Sequence, residues 1–417
     1  MSAMTNRIRR GARNISSMFR SSASTGEDVW QDSPVSGPRI LILSASVGSG
    51  HIRAATALQT ALGRMLPDAR IAHVDVLQFT NAAFRRAYGA GYFRAAQSVP
   101  RLVGMLYDFL DQPGDAGVTA RARLAFERMN FTRLTKILTH QPWDLAINTH
   151  FLPAALIARL SRNGSVHYPQ ATVVTDYDVH GMWIHEPCEK YFLATPECRA
   201  NVIADGVSPE RASVTGIPID PVFAEPRDRM QTIRNLGLAV DRPIVLQLAG
   251  GFGIGSIERI HHSICQIERP LQIVAVAGKN EPARDAMASM DCHPRHQRRI
   301  LGYTDQMHEF LLAADVVVSK PGGLTTTESL ASGCAMLIVE PIPGQEDRNA
   351  DYLLENGCGI KVNNLSSLTL KLSSLLNDPE KLARMRQNAL DCSRPRAAFD
   401  IAEQCIELLH SARATVY

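Results

Sequence analysis

Compact apolar runs recur along the chain between longer stretches whose apolar residues fall at helical spacing. The runs at 39–44, 71–76, 145–148, 171–175 and 191–194 read as buried strands. Strands alternating with amphipathic helices predict a parallel sheet covered on both faces, because each crossover lays a helix over the sheet. At Thr215-Gly216-Ile217-Pro218-Ile219-Asp220-Pro221 the pattern breaks on two prolines, which suit a hinge between domains. A second series of strands follows at 244–249, 272–276, 299–302, 316–319 and 336–339. The expected fold class is α/β, with two doubly wound, Rossmann-like domains facing a cleft at the C-terminal ends of their strands. The expected boundaries are 39–215 for the first domain and 216–390 for the second.

Composition adds little to this picture. The chain has 417 residues, 45% apolar and 20% charged, as in ordinary globular proteins, and a net charge of +3 gives no argument for nucleic acid. The charge distribution says more. Arg7, Arg9, Arg10, Arg13 and Arg20 precede any acidic residue, so 1–38 reads as a basic arm and linker, either solvated or in contact with anionic lipid. No apolar run reaches the roughly 18 residues needed to span a bilayer, and a peripheral or soluble protein is expected. Eight cysteines without a Cys-x-x-Cys pair suggest reduced thiols in the cytoplasm and no zinc site.

The chemistry concentrates in glycine turns that follow strands. After Val316-Val317-Val318 comes Ser319-Lys320-Pro321-Gly322-Gly323, and helical spacing resumes from Thr325 to Ala331. Free amides at Gly322 and Gly323 and the positive helix end can face a phosphate, with Lys320 offsetting its charge. Glu328, expected in the first helical turn, either meets sugar or ribose hydroxyls or merely offsets the dipole. A comparable turn, Gly250-Gly251-Phe252-Gly253-Ile254-Gly255, follows the strand at 244–249. Its spacing departs from a dinucleotide fingerprint, and no acid follows the next strand at the expected place.

Two further strings lie in the first domain. Ser44-Ala45-Ser46-Val47-Gly48-Ser49-Gly50-His51-Ile52-Arg53-Ala54-Ala55 leads from a strand into an alanine-rich helix, with His51 near the helix start. His51 reads as a general base or as a helix cap. Thr175-Asp176-Tyr177-Asp178-Val179-His180-Gly181-Met182-Trp183 stands where an open sheet places ligand groups. Asp176 is a second candidate base, or the group that holds His51 in its tautomer. Asp176, Asp178, His180 and His185 could imitate a metal site, but they do not recur on one helix face. Residues 83–110 mix aromatic, aliphatic and arginine side chains, a composition suited to a membrane interface or to core helix packing.

The string from Lys320 to Glu328, the segment Pro341-Ile342-Pro343-Gly344-Gln345-Glu346 with Arg348-Asn349-Ala350-Asp351, and the string around His51 together resemble the signatures of a known family. They are similar to the glycosyltransferases that build monogalactosyl- and glucosyl-diacylglycerols, relatives of bacterial MurG. The resemblance spans about 39–410 and implies a GT-B fold, with 391–417 forming a helix that packs back towards the first domain. It implies an inverting transfer of hexose from a UDP-sugar to diacylglycerol, with His51 or Asp176 as base. It also implies that Gly250, Gly251, Phe252, Gly253, Lys320, Gly322, Gly323 and Thr325 surround the diphosphate, that Glu328 meets the ribose, and that Gln345, Glu346 and Asn349 meet the sugar. His180 and Trp183 are expected in the cleft. UDP-glucose or UDP-galactose is the expected donor, without a separate cofactor or metal, and the site of action is the inner face of the cell membrane. A MurG-like transferase with another acceptor, a silent UDP-sugar-binding regulator and a sugar-nucleotide epimerase remain as alternatives. The donor sugar, processivity and oligomeric state are left open.

Overall fold

The computed structural model describes residues 37–81, 131–249 and 256–414. The basic arm, the 83–110 segment and the Gly250–Gly253 loop therefore lie outside the described residues. The first sheet contains β1 (Arg39–Ser44), β2 (Arg70–Asp75), β3 (Leu145–Asn148), β4 (Gln170–Val173), β5 (Lys190–Leu193) and β6 (Ala212–Val214), in the order β2-β1-β3-β4-β5-β6. The second contains β7 (Ile244–Leu248), β8 (Gln272–Val276), β9 (Gln297–Leu301), β10 (Val316–Ser319), β11 (Ala335–Val339) and β12 (Gly359–Val362), in the order β12-β11-β10-β7-β8-β9. All pairings are parallel.

Central strands are buried along their length, β3 as Leu-Ala-Ile-Asn and β11 as Ala-Met-Leu-Ile-Val, which parallel sheets require when helices cover both faces. Of the four edge strands, β6 (Ala-Ser-Val) and β12 (Gly-Ile-Lys-Val) escape the sequence reading, because neither contains two adjacent apolar residues. Each has a single buried residue and little apolar pattern.

The helices that shape the cleft are α1 (Ser49–Met65), α2 (Phe151–Arg162), α3 (Gly323–Ala331), α4 (Gln345–Glu355) and α5 (Ala397–Ala414). In α1, Ala54, Ala55, Leu58, Ala61 and Leu62 recur at three- and four-residue spacing and form the buried face. Ala398, Ile401, Ala402 and Cys405 of α5 join that face and Ile40, Ile42 and Ile147 of the first sheet in one apolar cluster. The C-terminal helix thus caps the first sheet after the chain has built the second. At the hinge, Gly216 has φ +87° and a side chain there would come within 2.7 Å of Arg394 Cβ, so glycine permits the return segment to cross.

Each sheet has one point where its strand order reverses, between β1 and β3 in the first and between β7 and β10 in the second. Crevices at such points are where open α/β sheets bind ligands. The His51 string leaves β1 and the Lys320–Gly323 turn leaves β10, so both sequence motifs sit at switch points.

Candidate functional site

His51 occupies the first turn of α1, entered through Gly48 in an extended conformation. Its Nδ1 lies 2.8 Å from the Thr149 carbonyl oxygen and 3.0 Å from Thr175 Oγ1. A carbonyl can only accept, so Nδ1 carries the proton and Nε2 keeps its lone pair. The Thr149 hydroxyl in turn donates to the His51 carbonyl at 2.9 Å, tying the two switch-point loops together. Burial pushes the imidazole down to about 4, partly opposed by the Thr149 bond, which keeps the ring neutral at cellular pH. Trp183 and Phe151, both fully buried, and His150, whose Nδ1 caps α2 at the Leu152 amide, pack around it.

The sequence reading allows Asp176 to fix the His51 tautomer, and the structure corrects this. Thr149 and Thr175 hold Nδ1, while Asp176 Oδ1 accepts from Asn349 Nδ2 at 3.3 Å, across the cleft. Asn349 is fully buried, and its Oδ1 accepts the Tyr177 amide at 2.8 Å, so both ends of its side chain are committed. Burial raises the Asp176 carboxyl to about 6, against the Asn349 hydrogen bond and with help from nearby Asp178.

The donor-side turn meets the same loop. A Cβ at Gly323 would lie 2.1 Å from the Thr175 carbonyl oxygen and 3.4 Å from Asp176 Oδ1, so only glycine allows this approach. The helix begins at Gly323, two residues earlier than the spacing suggests, which moves Glu328 from the first turn to the second. There Glu328 is 3% exposed and pairs with Arg53 of α1, so it does more than offset a dipole. Burial raises its carboxyl above the usual range, opposed by the Arg53 charge.

Gln345 opens α4 and reaches His180, Nε2 to Nε2 at 3.1 Å. Glu346 turns back, and its Oε2 accepts the Ile342 amide at 2.7 Å, stiffening the 341–344 turn. Lys320 acts on the Glu346 charge, and Thr325 lies on the first turn of α3. Tyr177 stacks on Tyr352 with ring centroids 4.4 Å apart and shares a 3.0 Å hydrogen bond with Thr327. The structure therefore brings His51, Asp176, His180, Gly323, Glu328, Gln345 and Asn349 to one cleft. Asp178 and His185 do not join Asp176 and His180 in a metal cage; among the described residues no such cluster forms.

Sequence reasoning misses Thr149, Arg53 and the Tyr177–Tyr352 stack. A polar Thr-His pair directly after the buried β3 is the available signal, since ligand groups gather at strand ends.

Two parallel six-stranded sheets whose switch points face a common cleft define the GT-B architecture. Solved structures agree: MurG of Acinetobacter baumannii superposes with a TM-score of 0.58 at 16% identity, covering 89% of this chain and 99% of that one. S. aureus MnaA, solved with UDP, gives 0.55 at 14% identity over 87% of this chain and 94% of that one. Residues 51–219 match the family described as monogalactosyldiacylglycerol (MGDG) synthase, and 255–391 match glycosyl transferases group 1. The processive diacylglycerol beta-glucosyltransferase of Bacillus subtilis (strain 168) is 27% identical over 88% of this chain and 95% of its own length. That of Bacillus licheniformis is 29% identical over 90% and 97%. The chain is thus similar over nearly its whole length to the processive diacylglycerol glucosyltransferases, and its first domain matches the monogalactosyldiacylglycerol synthase family.

Proposed function

We propose that the chain transfers a hexose from a UDP-sugar to the free hydroxyl of diacylglycerol, with inversion at the anomeric carbon. The observation that carries this reading is the meeting in one cleft of a neutral, oriented His51 with the helix starts of α3 and α4. The acceptor hydroxyl gives its proton to a base on the first domain as its oxygen attacks the anomeric carbon and the bond to the UDP oxygen breaks. Diphosphate charge developing on the leaving group meets the Gly322 and Gly323 amides, the N-terminal end of α3 and Lys320. Glu328 takes ribose hydroxyls and Gln345 reads the sugar, while Asn349, buried and bonded to Asp176 and Tyr177, holds the acceptor-side loop beside them. Gly250, Gly251, Phe252 and Gly253 complete the diphosphate cradle in this reading.

Two candidate bases differ in what they offer. His51 presents a free Nε2 but is a weak base at about 4, whereas Asp176, raised to about 6, is the stronger one and stays largely ionised at neutral pH. Among the described residues no helix is long and apolar enough to cross a membrane. Action from the inner face of the cell membrane, aided by the basic arm and the 83–110 segment on anionic lipid, fits a substrate that never leaves the bilayer.

The test is incubation with diacylglycerol in anionic liposomes and UDP-glucose, UDP-galactose or UDP-glucuronic acid in separate reactions, with the lipid extract read by mass. A diacylglycerol heavier by one hexose supports the reading and names the donor, and further hexoses show processivity. Bound UDP-sugar with unchanged lipid would sink it.

A further inference from the structure

The carboxylate expected to meet the donor ribose is already taken by the protein itself. Arg53 projects from α1 of the first domain, two residues after His51, and its guanidinium pairs with Glu328 on α3 of the second. The Glu328 side chain is 4% exposed and that of Arg53 44%, so the carboxylate is buried while part of the Arg53 side chain reaches solvent. Asp220 at the hinge and Tyr303 after β9 also face the guanidinium. A guanidinium presents N–H donors side by side, as the two hydroxyls of a ribose would to the same carboxylate.

A second observation points the same way. The Thr175 carbonyl lies against Gly323 and the Asp176 carboxylate lies beside the start of α3, where an anionic diphosphate would sit. Acceptor-domain groups thus stand at two places on the donor side: N–H donors on the Glu328 carboxylate and an acidic side chain near the start of α3.

We propose that Arg53 is an internal occupant of the nucleotide-ribose site, so that UDP-sugar binds by exchanging with Arg53 on Glu328 and breaks this interdomain contact as it enters. The proposal rests on the reading of Glu328 as the ribose carboxylate. It makes Arg53 a competitor of the donor, and the measured nucleotide affinity is the intrinsic one reduced by the fraction of molecules in which Glu328 is free.

Calorimetric titration of UDP into the full-length protein tests this, using wild type, Arg53→Ala, Arg53→Gln and Arg64→Ala. Arg64 lies on the same helix and pairs with Glu225 at 3.0 Å, both exposed, and controls for loss of a positive charge. The expected result is UDP binding about three- to tenfold tighter in both Arg53 variants, with Arg64→Ala unchanged. Should Arg53→Ala fail to fold, Arg53→Gln carries the comparison. Unchanged affinity overturns the proposal, and weaker affinity overturns it in favour of a direct Arg53 contact with nucleotide. Adding Glu328→Gln to Arg53→Gln separates the two layers. Lost affinity there supports the ribose reading whatever the Arg53 result, whereas unchanged affinity, or no UDP binding by wild type, removes both.

Discussion

The Nδ1 of His51 stands 2.8 Å from the carbonyl oxygen of Thr149, and this one contact decides which face of the imidazole can do chemistry. Because the carbonyl only accepts, the proton stays on Nδ1 and the lone pair stays on Nε2. With Asp176 held by Asn349 instead, the cleft contains two proton acceptors with separated titration ranges. The pH profile tells them apart. Activity through Asp176 needs its ionised form, so kcat/KM falls as pH drops through about 6. Activity through His51 needs the neutral ring, so the fall waits until about 4. A lone limb near 4 would remove Asp176 from the mechanism.

Asn349→Asp moves the Asp176 limb in a stated direction. The new carboxylate still accepts the Tyr177 amide but faces Asp176 with a like charge in place of an N–H donor. Asp176 then holds its proton more tightly, and the acid limb moves upward, by roughly one pH unit or more for carboxylates in contact. A limb that stays in place in a folded variant means the group titrating there is not Asp176.

Burying Asp176 also costs stability, and the sign follows from its raised carboxyl. The folded state favours the protonated form, so the stability linked to this group is present below the ordinary carboxylate range and is lost as pH rises through about 6. Asp176→Asn keeps an oxygen for Asn349 Nδ2 and removes the buried charge. Urea denaturation should show the variant more stable than wild type by about 3 kcal/mol at pH 8, since each tenfold gain in proton affinity on folding is worth about 1.4 kcal/mol, with most of the advantage gone near pH 4. Equal stability at both pH values would show that Asp176 is well solvated.

What the chain made legible divides along physical lines. Central strands such as β3 and β11 announce themselves because both faces are buried, and the glycine turns after β1 and β10 stand out because an apolar run stops abruptly. The edge strands β6 and β12, with sequences Ala-Ser-Val and Gly-Ile-Lys-Val, contain no two adjacent apolar residues and so leave no run to recognise. His51, Asp176, Gly323 and Asn349 could be named in advance, but their partners could not. The group orienting His51 is a backbone carbonyl, which has no side-chain signature, and Arg53 meets Glu328 across 275 positions of sequence. Contacts between domains depend on how two sheets face each other, and local periodicity does not encode that.

Gly323 tests whether this facing matters for turnover. A methyl group there would stand 2.1 Å from the Thr175 carbonyl oxygen, too close for backbone to tolerate, so Gly323→Ala must push the acceptor loop off the donor turn. The backbone at 323 is already helical, which alanine favours, so the second domain itself should fold as well as before. The cost falls on the alignment of His51 and Asp176 with the donor, where a displacement of about 1 Å can lower the rate by about a hundredfold. The expected outcome is a kcat reduced by that order, with far-ultraviolet circular dichroism unchanged and a larger radius of gyration by small-angle scattering. Wild-type turnover in Gly323→Ala would show that the close approach of Thr175 to Gly323 is not the geometry in which the reaction occurs.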